Sequence, residues 1–312
     1  MSNYLVEKTN EHLKDKYLNR FNGSASTRKS ALRYFFGKNQ SKTSFGFNNH
    51  ISKIAKGDLM DYFDWLNNLD TISIETKKLK WTILKSLLEY LMEYYDDFMV
   101  IIPKKTVNWN KIHKESNSNK DVIMNKKEVK KILDYLKLNH YQYYLIFRTL
   151  TETGMRKGGL INIDYDNVDI KKRYIKTKEK SGRVVYYVSK ELAKELDIYL
   201  EERKSKSFYQ KDGKILKAFF VSNRGRRFAD RPFNLFLKGV LDKLNIKKNI
   251  TCHSFRRTIN TLRKKMGCPN EDRKILLNHK TQDVNLNSYV KLRYNDFIKL
   301  YDRWNPYLEL TL

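Results

Sequence analysis

The sequence predicts a mostly α-helical protein of two domains, the second of them α+β through one small β-hairpin. Three features carry that expectation. Apolar residues recur at helical period through the first hundred residues. Periodicity is then lost over a stretch rich in Lys, Asn and Ser, and beyond it helical patterns resume around one pair of β-branched and aromatic runs. With 312 residues, 40% of them hydrophobic and 13% aromatic, the chain is long enough to bury two cores.

The first helix is expected to begin near Ser26 or Thr27, with Leu32, Phe35 and Phe36 on its apolar side. Arg28 and Lys29 fall in its first turn, where positive charge opposes the helix dipole unless a phosphate offsets it. They are either a solvated basic helix end or a contact to a phosphate backbone. Leu59, Tyr62, Phe63 and Leu66 share one helix face, and Leu79, Ile83, Leu84, Leu87, Leu88 and Leu91 form a longer stripe. Two such stripes need each other, so residues 1–103 should form a small helical bundle. From about Pro103 to Lys120 the composition is that of a linker, which divides the chain into 1–103, 104–121 and 122–312.

Asn125 with Glu128 three residues on has the spacing of a capping box, and Val129, Ile132, Leu133 and Leu136 continue as a core face. A second helix, about Tyr141 to Thr151, should end near Gly154, placing Arg156 in a helix-to-helix turn. Tyr174–Thr177 and Val184–Val188 read as strands joined by Ser181-Gly182, with Lys178 near the hairpin tip. Helical patterns return at 190–202, at 233–244 and from Ser254 to the terminus. The last ends in an apolar stripe of Leu292, Phe297, Leu300, Tyr301 and Trp304 before Pro306.

Lysine and arginine total 63 against 35 acidic residues, a formal charge of +28. An extended polyanion, nucleic acid first, is the partner that such a charge favours. Coding bias also enriches Lys, Asn, Ile and Tyr, so charge alone does not name a function. Cys252 and Cys268 are too few for a disulfide framework and lack zinc-site spacing. Residues 1–20 are polar and charged, unlike a secretory signal, and the apolar run Phe98–Ile102 is far short of the roughly 20 residues of a spanning helix. A soluble protein of a reducing, cytoplasmic compartment is expected. Neither GxxxxGK[ST] nor GxGxxG occurs.

The chemistry is concentrated late in the chain. His253 and Arg256 are three apart on one expected helix and so project toward a common point. Leu277-Asn278-His279 follows, then Tyr289 ten residues on, while Thr153-Gly154-Met155-Arg156 and Lys178 lie upstream. Arginines, histidines, a lysine and a tyrosine in this order suggest phosphodiester chemistry with a tyrosine nucleophile. Any one of them is weak evidence: with 21 tyrosines, a given ring is ordinarily core or interface.

Together, in order and approximate spacing, these boxes resemble the tyrosine recombinases, the phage-type integrase family, and span residues 153 to 289. The helical region before the linker resembles that family's core-binding domain by position and pattern. The resemblance implies that Arg156, Lys178, His253, Arg256, His279 and Tyr289 are catalytic. Two always-charged, fork-shaped guanidiniums would stabilise the phosphorane charge, and His279 would donate a hydrogen bond to it. His253 would assist deprotonation of Tyr289, and Lys178 would protonate the leaving 5′-oxygen. It further implies a covalent 3′-phosphotyrosyl intermediate, no nucleotide cofactor, no metal, double-stranded DNA as partner, and a homotetramer on two duplexes. The terminal segment would then either fold back on its own domain or pack on a neighbouring protomer. Arg224, Arg226, Arg227 and Arg231, around Gly225 and Pro232, form a basic loop suited to the DNA backbone.

The chain departs from the family pattern at three places. Gly159 stands where an acidic residue often orients the first arginine, so another group must hold Arg156. Asn278 replaces a glycine, which a helix-terminal residue able to adopt positive φ should tolerate. Lys180 is an alternative to Lys178 on the same hairpin, although the spacing to Arg183-Val184-Val185 favours Lys178. Tyr294 is a nearby rival to Tyr289, with the interval from His279 favouring Tyr289. A type IB topoisomerase-like enzyme and a DNA-binding regulator without catalysis, the latter hinted at by Gly159, are the competing readings.

Overall fold

The structure, a computed structural model, describes residues 25–37, 45–47, 49, 51–94, 98–103, 122–179, 182–210, 212–229, 232–279 and 294–307. Lys180, Arg231, Tyr289 and segment 104–121 lie outside the described residues. The chain divides into two compact units, residues 1–118 and 119–312.

The first unit is helical: α1 (Ala25–Phe36), a 3-10 turn (Ile51–Lys53), α2 (Lys56–Asn67) and α3 (Ile74–Tyr94). The stripe Leu59, Tyr62, Phe63 and Leu66 is buried, as are Leu32 and Phe35 of α1 and Ile83, Leu84, Leu87, Leu88 and Leu91 of α3. Aromatic rings fill much of the bundle, with Phe35 against Phe45, Phe47 and Tyr62. Leu79, expected in the α3 stripe, is instead exposed. The packed face runs through Lys77, Trp81, Leu84, Leu88 and Leu91 at three- to four-residue spacing, and Leu79 lies to one side of it. Two lysines are buried at its start. Lys77 Nζ donates to Asn67 O at 2.6 Å, and Lys80 Nζ sits 3.2 Å from the centroid of the Tyr34 ring.

The second unit opens with α4 (Lys126–Asn139), α5 (Tyr141–Thr153) and the short α6 (Lys157–Ile161). The Asn125–Glu128 capping box forms: Glu128 N donates to Asn125 Oδ1 and Asn125 N to Glu128 Oε2, both at 2.8 Å. Next comes a three-stranded antiparallel sheet in the order β1 (Val168–Asp169), β2 (Tyr174–Glu179), β3 (Gly182–Tyr187). The hairpin is longer than the sequence suggested, pairing Lys178 with Arg183 and Glu179 with Gly182. β1, two residues long, carries too few residues to show a period. A 3-10 turn (Tyr165–Asn167) precedes β1, and helices α7 (Lys190–Ser205), α8 (Pro232–Lys243), α9 (Cys252–Lys265), α10 (Asn270–Leu276) and α11 (Tyr294–Arg303) complete the described elements. Among the described residues, no helix is long and apolar enough to cross a membrane.

α5 is the axis of this unit, buried from Tyr144 to Thr153 and packed against α4, α7 and α9. Its Glu152 is a buried carboxylate with a full set of donors: Arg148 Nε at 3.1 Å, Ser189 N at 2.9 Å, Ser189 Oγ at 3.1 Å and Tyr301 Oη at 3.0 Å. Tyr301 belongs to α11, so the terminal helix folds back on its own unit. Phe297 stacks on Tyr187 with centroids 5.7 Å apart, and Arg263 Nε donates to Trp304 O at 3.2 Å.

α5 ends at Gly154, whose φ of 64° is left-handed. A Cβ there would meet Ile259 Cγ2 and Leu277 Cδ2, each at 2.8 Å. Gly154 is therefore required twice, by conformation and by the close approach of α9 and α10. Gly154→Ala is expected to destabilise this unit by about 2–4 kcal/mol, from the left-handed penalty plus overpacking. Urea unfolding followed by circular dichroism checks it; a change within about 0.5 kcal/mol, the range of an ordinary surface substitution, would contradict the requirement.

Candidate active site

Three helix boundaries converge here, each made by local chemistry visible in its own residues. At the start of α9, Thr251 N donates to Ser254 Oγ at 3.1 Å, and Asn234 Oδ1 of α8 accepts from Cys252 N at 3.0 Å. These bonds satisfy first-turn amides and set the register that places His253 at the exposed rim and Arg256 inside. At the end of α10, Asn278 adopts φ 51°. Asn278 N donates to Ile275 O at 3.0 Å and His279 N to Lys274 O at 2.9 Å, a Schellman turn that the asparagine closes without glycine. Its side chain adds a tie to the sheet, Nδ2 donating to Val185 O at 2.8 Å. At the end of α5, Gly154 turns the chain so that Arg156 precedes α6 with extended backbone.

Arg256 joins the three. Its Nη1 donates to Gly154 O at 2.6 Å and its Nη2 to Leu277 O at 2.7 Å, while Tyr186 Oη lies 3.5 Å from Nη1. One buried guanidinium thus binds the main chain two residues before Arg156 and two residues before His279. Burial lowers the Arg256 pKa, and the neighbouring Arg156 charge pushes the same way; a guanidinium remains charged all the same. His279, exposed at the turn, is also held below its ordinary value, first by partial desolvation and then by Arg256 and Arg156. Its neutral form, with one N–H to donate, is thereby favoured.

Arg156 is held by Glu179. Its guanidinium Nη1 pairs with Glu179 Oε2, and its backbone N donates to Glu179 Oε1 at 3.0 Å. Tyr186 Oη donates to the same Oε1 at 2.8 Å. Burial, and then the carboxylate, keep that phenol protonated, raising its pKa. Glu179 comes from β2, where alternation puts Ile175, Thr177 and Glu179 on the buried face and Lys176 and Lys178 on the exposed one. Sequence reasoning required some group to hold Arg156 but did not identify Glu179. A glutamate between Lys178 and Lys180 reads as solvated charge, and extending the strand alternation by two residues was the signal that could have found it.

The structure thus brings Arg156, Arg256 and His279 together and puts Lys178 on the strand that holds Arg156. His253 lies one turn before Arg256. Tyr289 is outside the described residues. In the basic loop, Arg224 and Arg226 are exposed on either side of Gly225, which has φ 67°. Arg227 is turned inward: its Nη1 donates to Ile161 O at 2.7 Å, and its Nη2 pairs with Asp164. Arg28 is half-buried and Lys29 exposed on α1.

Two clustered guanidiniums set against one carboxylate leave a net positive cluster beside the His279 imidazole, and such a cluster suits a phosphate whose charge grows during substitution. Solved structures share the fold. A Tn1549 transposon integrase fragment in complex with circular intermediate DNA aligns with TM-score 0.65 at 13% identity, covering 93% of this chain and 96% of that one. The XerH site-specific recombinase in a post-cleavage complex with a palindromic difH substrate aligns with TM-score 0.63 at 16% identity, covering 98% and 82%. A lambda integrase dimer bound to a COC′ core site aligns with TM-score 0.55 at 13% identity, covering 86% and 93%. No curated protein matches the chain. The profile of the phage integrase family matches residues 123–296, more than half of the chain and every box described above, and the chain belongs to that family, the tyrosine recombinases.

Proposed function

We propose that this chain is a site-specific DNA recombinase that cuts and rejoins DNA through a covalent 3′-phosphotyrosyl intermediate on Tyr289. The single observation that supports it most is the Arg256 guanidinium bound to both Gly154 O and Leu277 O, because it ties the arginine and histidine boxes to one side chain. The Tyr289 oxygen attacks phosphorus as His253 takes its proton. The P–O5′ bond breaks, and Lys178 protonates the departing oxygen. Arg156 and Arg256 stabilise the charge on the non-bridging oxygens, and His279 donates its N–H to one of them. A free 5′-hydroxyl reverses the same steps, so the energy of the phosphodiester is kept and neither nucleotide nor metal takes part.

Around that centre, residues 1–103 serve as the core-binding domain and 122–312 as the catalytic domain, joined by 104–121, and each contacts double-stranded DNA. Strand exchange then takes four copies on two duplexes, and the DNA-bound complexes of the structural relatives support a DNA partner. The loop residues Arg224 and Arg226, with Arg231, Arg28 and Lys29, contact the backbone, whereas Arg227 shapes the loop from within. The absence of an acid at position 159 hints at a non-catalytic regulator; the Glu179 carboxylate beside Arg156 supports the catalytic reading instead.

A nicked suicide substrate tests the chemistry. Wild type should form a protein–DNA adduct through the 3′-phosphate, in EDTA as in magnesium, and Tyr289→Phe should bind DNA without forming any; an adduct retained by Tyr289→Phe and lost by Tyr294→Phe would move the nucleophile. Relaxation of a supercoiled circle by a single copy, with no exchange between two sites, would favour the topoisomerase-like reading. The backbone contacts are tested by salt titration of DNA affinity. Arg224→Ala and Arg226→Ala should each reduce the slope of log affinity against log salt by roughly one, while Arg227→Ala should instead lower thermal stability.

A further inference from the structure

We propose that Glu179 is the positioning residue of Arg156 and that the missing side chain of Gly159 is what opens its seat. The inference rests on the recombinase reading for what Arg156 does, but the placement itself is geometric. A Cβ built on Gly159 would lie 2.8 Å from Glu179 Oε1, 3.0 Å from its Cγ and 3.3 Å from its Cδ. The carboxylate that the family resemblance implies three residues after the arginine, on α6, is thus supplied from β2, into the space that a side chain on α6 would otherwise take. A side chain at 159 would press on the Glu179 side chain, which would have to shift from its place beside Arg156.

Glu179 does more than neutralise charge. Its Oε2 pairs with the guanidinium of Arg156, while its Oε1 accepts from the main-chain N of the same residue at 3.0 Å. Backbone and side chain of Arg156 are therefore referred to one rigid group. That group is fixed in turn by Tyr186 Oη at 2.8 Å, and Tyr186 lies beside Arg256. Thr177, two residues earlier on the same strand face, donates to Gly159 O at 2.6 Å, so β2 and α6 meet in register around the missing side chain. A carboxylate on α6 would leave the hairpin independent of Arg156. A carboxylate on β2 couples them: Lys178 is the next residue along, so the general acid and the first arginine share one strand as their support.

Single-turnover cleavage of a suicide substrate at saturating DNA, with DNA affinity and melting temperature measured alongside, tests the assignment. Losing the orientation of one transition-state donor should cost on the order of 10- to 100-fold in the cleavage rate constant for Glu179→Gln and Glu179→Ala. DNA affinity should stay within about threefold, since positioning acts on the transition state rather than on ground-state binding. Adding Gly159→Asp to Glu179→Ala should recover about tenfold or more of that rate, while adding Gly159→Asn should not, because the seat needs a charge rather than a filled volume. Gly159→Asp alone should be slow, since it sets a second carboxylate against the first. Should Glu179→Ala fail to fold, Glu179→Gln, which keeps the shape and the acceptor for the Arg156 amide, decides. Wild-type cleavage by Glu179→Gln, or equal rescue by asparagine and aspartate, overturns the assignment. A wild-type protein that binds DNA and forms no adduct overturns instead the recombinase reading beneath it.

Discussion

A guanidinium buried between two helix ends is the constraint on which the catalytic unit depends. Gly154 O and Leu277 O close α5 and α10, where backbone carbonyls lack intrahelical partners and carry the negative end of the helix dipole. Arg256 satisfies both with one planar fork, and the dipoles offset part of the cost of burying its charge. A lysine could not reproduce this, because its single nitrogen cannot present two parallel donors to two carbonyls. The same bonds that stabilise the helix ends thus set the distance between the arginine box and the histidine box. Fold and site share one interaction.

Charge balance then explains why the centre is suited to an anion. Arg156 lies close enough to Arg256 to disfavour its charge, and Glu179 pairs with Arg156. Tyr186 remains a neutral phenol and the neutral form of His279 is favoured, so neither supplies the missing negative charge. In the proposed reaction a phosphate completes the set. Preorganisation of this kind places the reorganisation cost in folding rather than in the chemical step.

The other buried carboxylate, Glu152, works at the opposite side of the same helix end. It collects Arg148, Ser189 and Tyr301, and so binds α5, the start of α7 and the terminal helix α11 at a point four residues before Arg156. Removing any donor would leave a buried charge partly unsatisfied, which is far costlier than the loss of one surface pair. The seating of α11 and the end of α5 are therefore linked through one side chain.

Much of this was legible in the residues themselves. The Asn125–Glu128 cap, the buried faces of α2 and α4, the end of α5 at Gly154 and the positive φ of Asn278 follow from local rules, because capping, periodicity and left-handed turns are decided within a few residues. The chemical boxes were equally plain, since Arg156, His253, Arg256 and His279 sit at spacings that helix ends impose. What local rules could not supply were contacts between residues far apart in the chain. Leu79 is exposed because the packing of α3 selects a neighbouring face, Arg227 turns inward because Asp164 waits some sixty residues upstream, and Glu179 is an orienting carboxylate only because Gly159 leaves it room. The sequence by itself determined most of the elements and their caps, and it singled out the arginine and histidine boxes. Which carboxylate holds Arg156, and which carbonyls hold Arg256, only the tertiary structure decided, because those choices depend on the separation of surfaces brought together by folding and not on any property of the neighbouring residues.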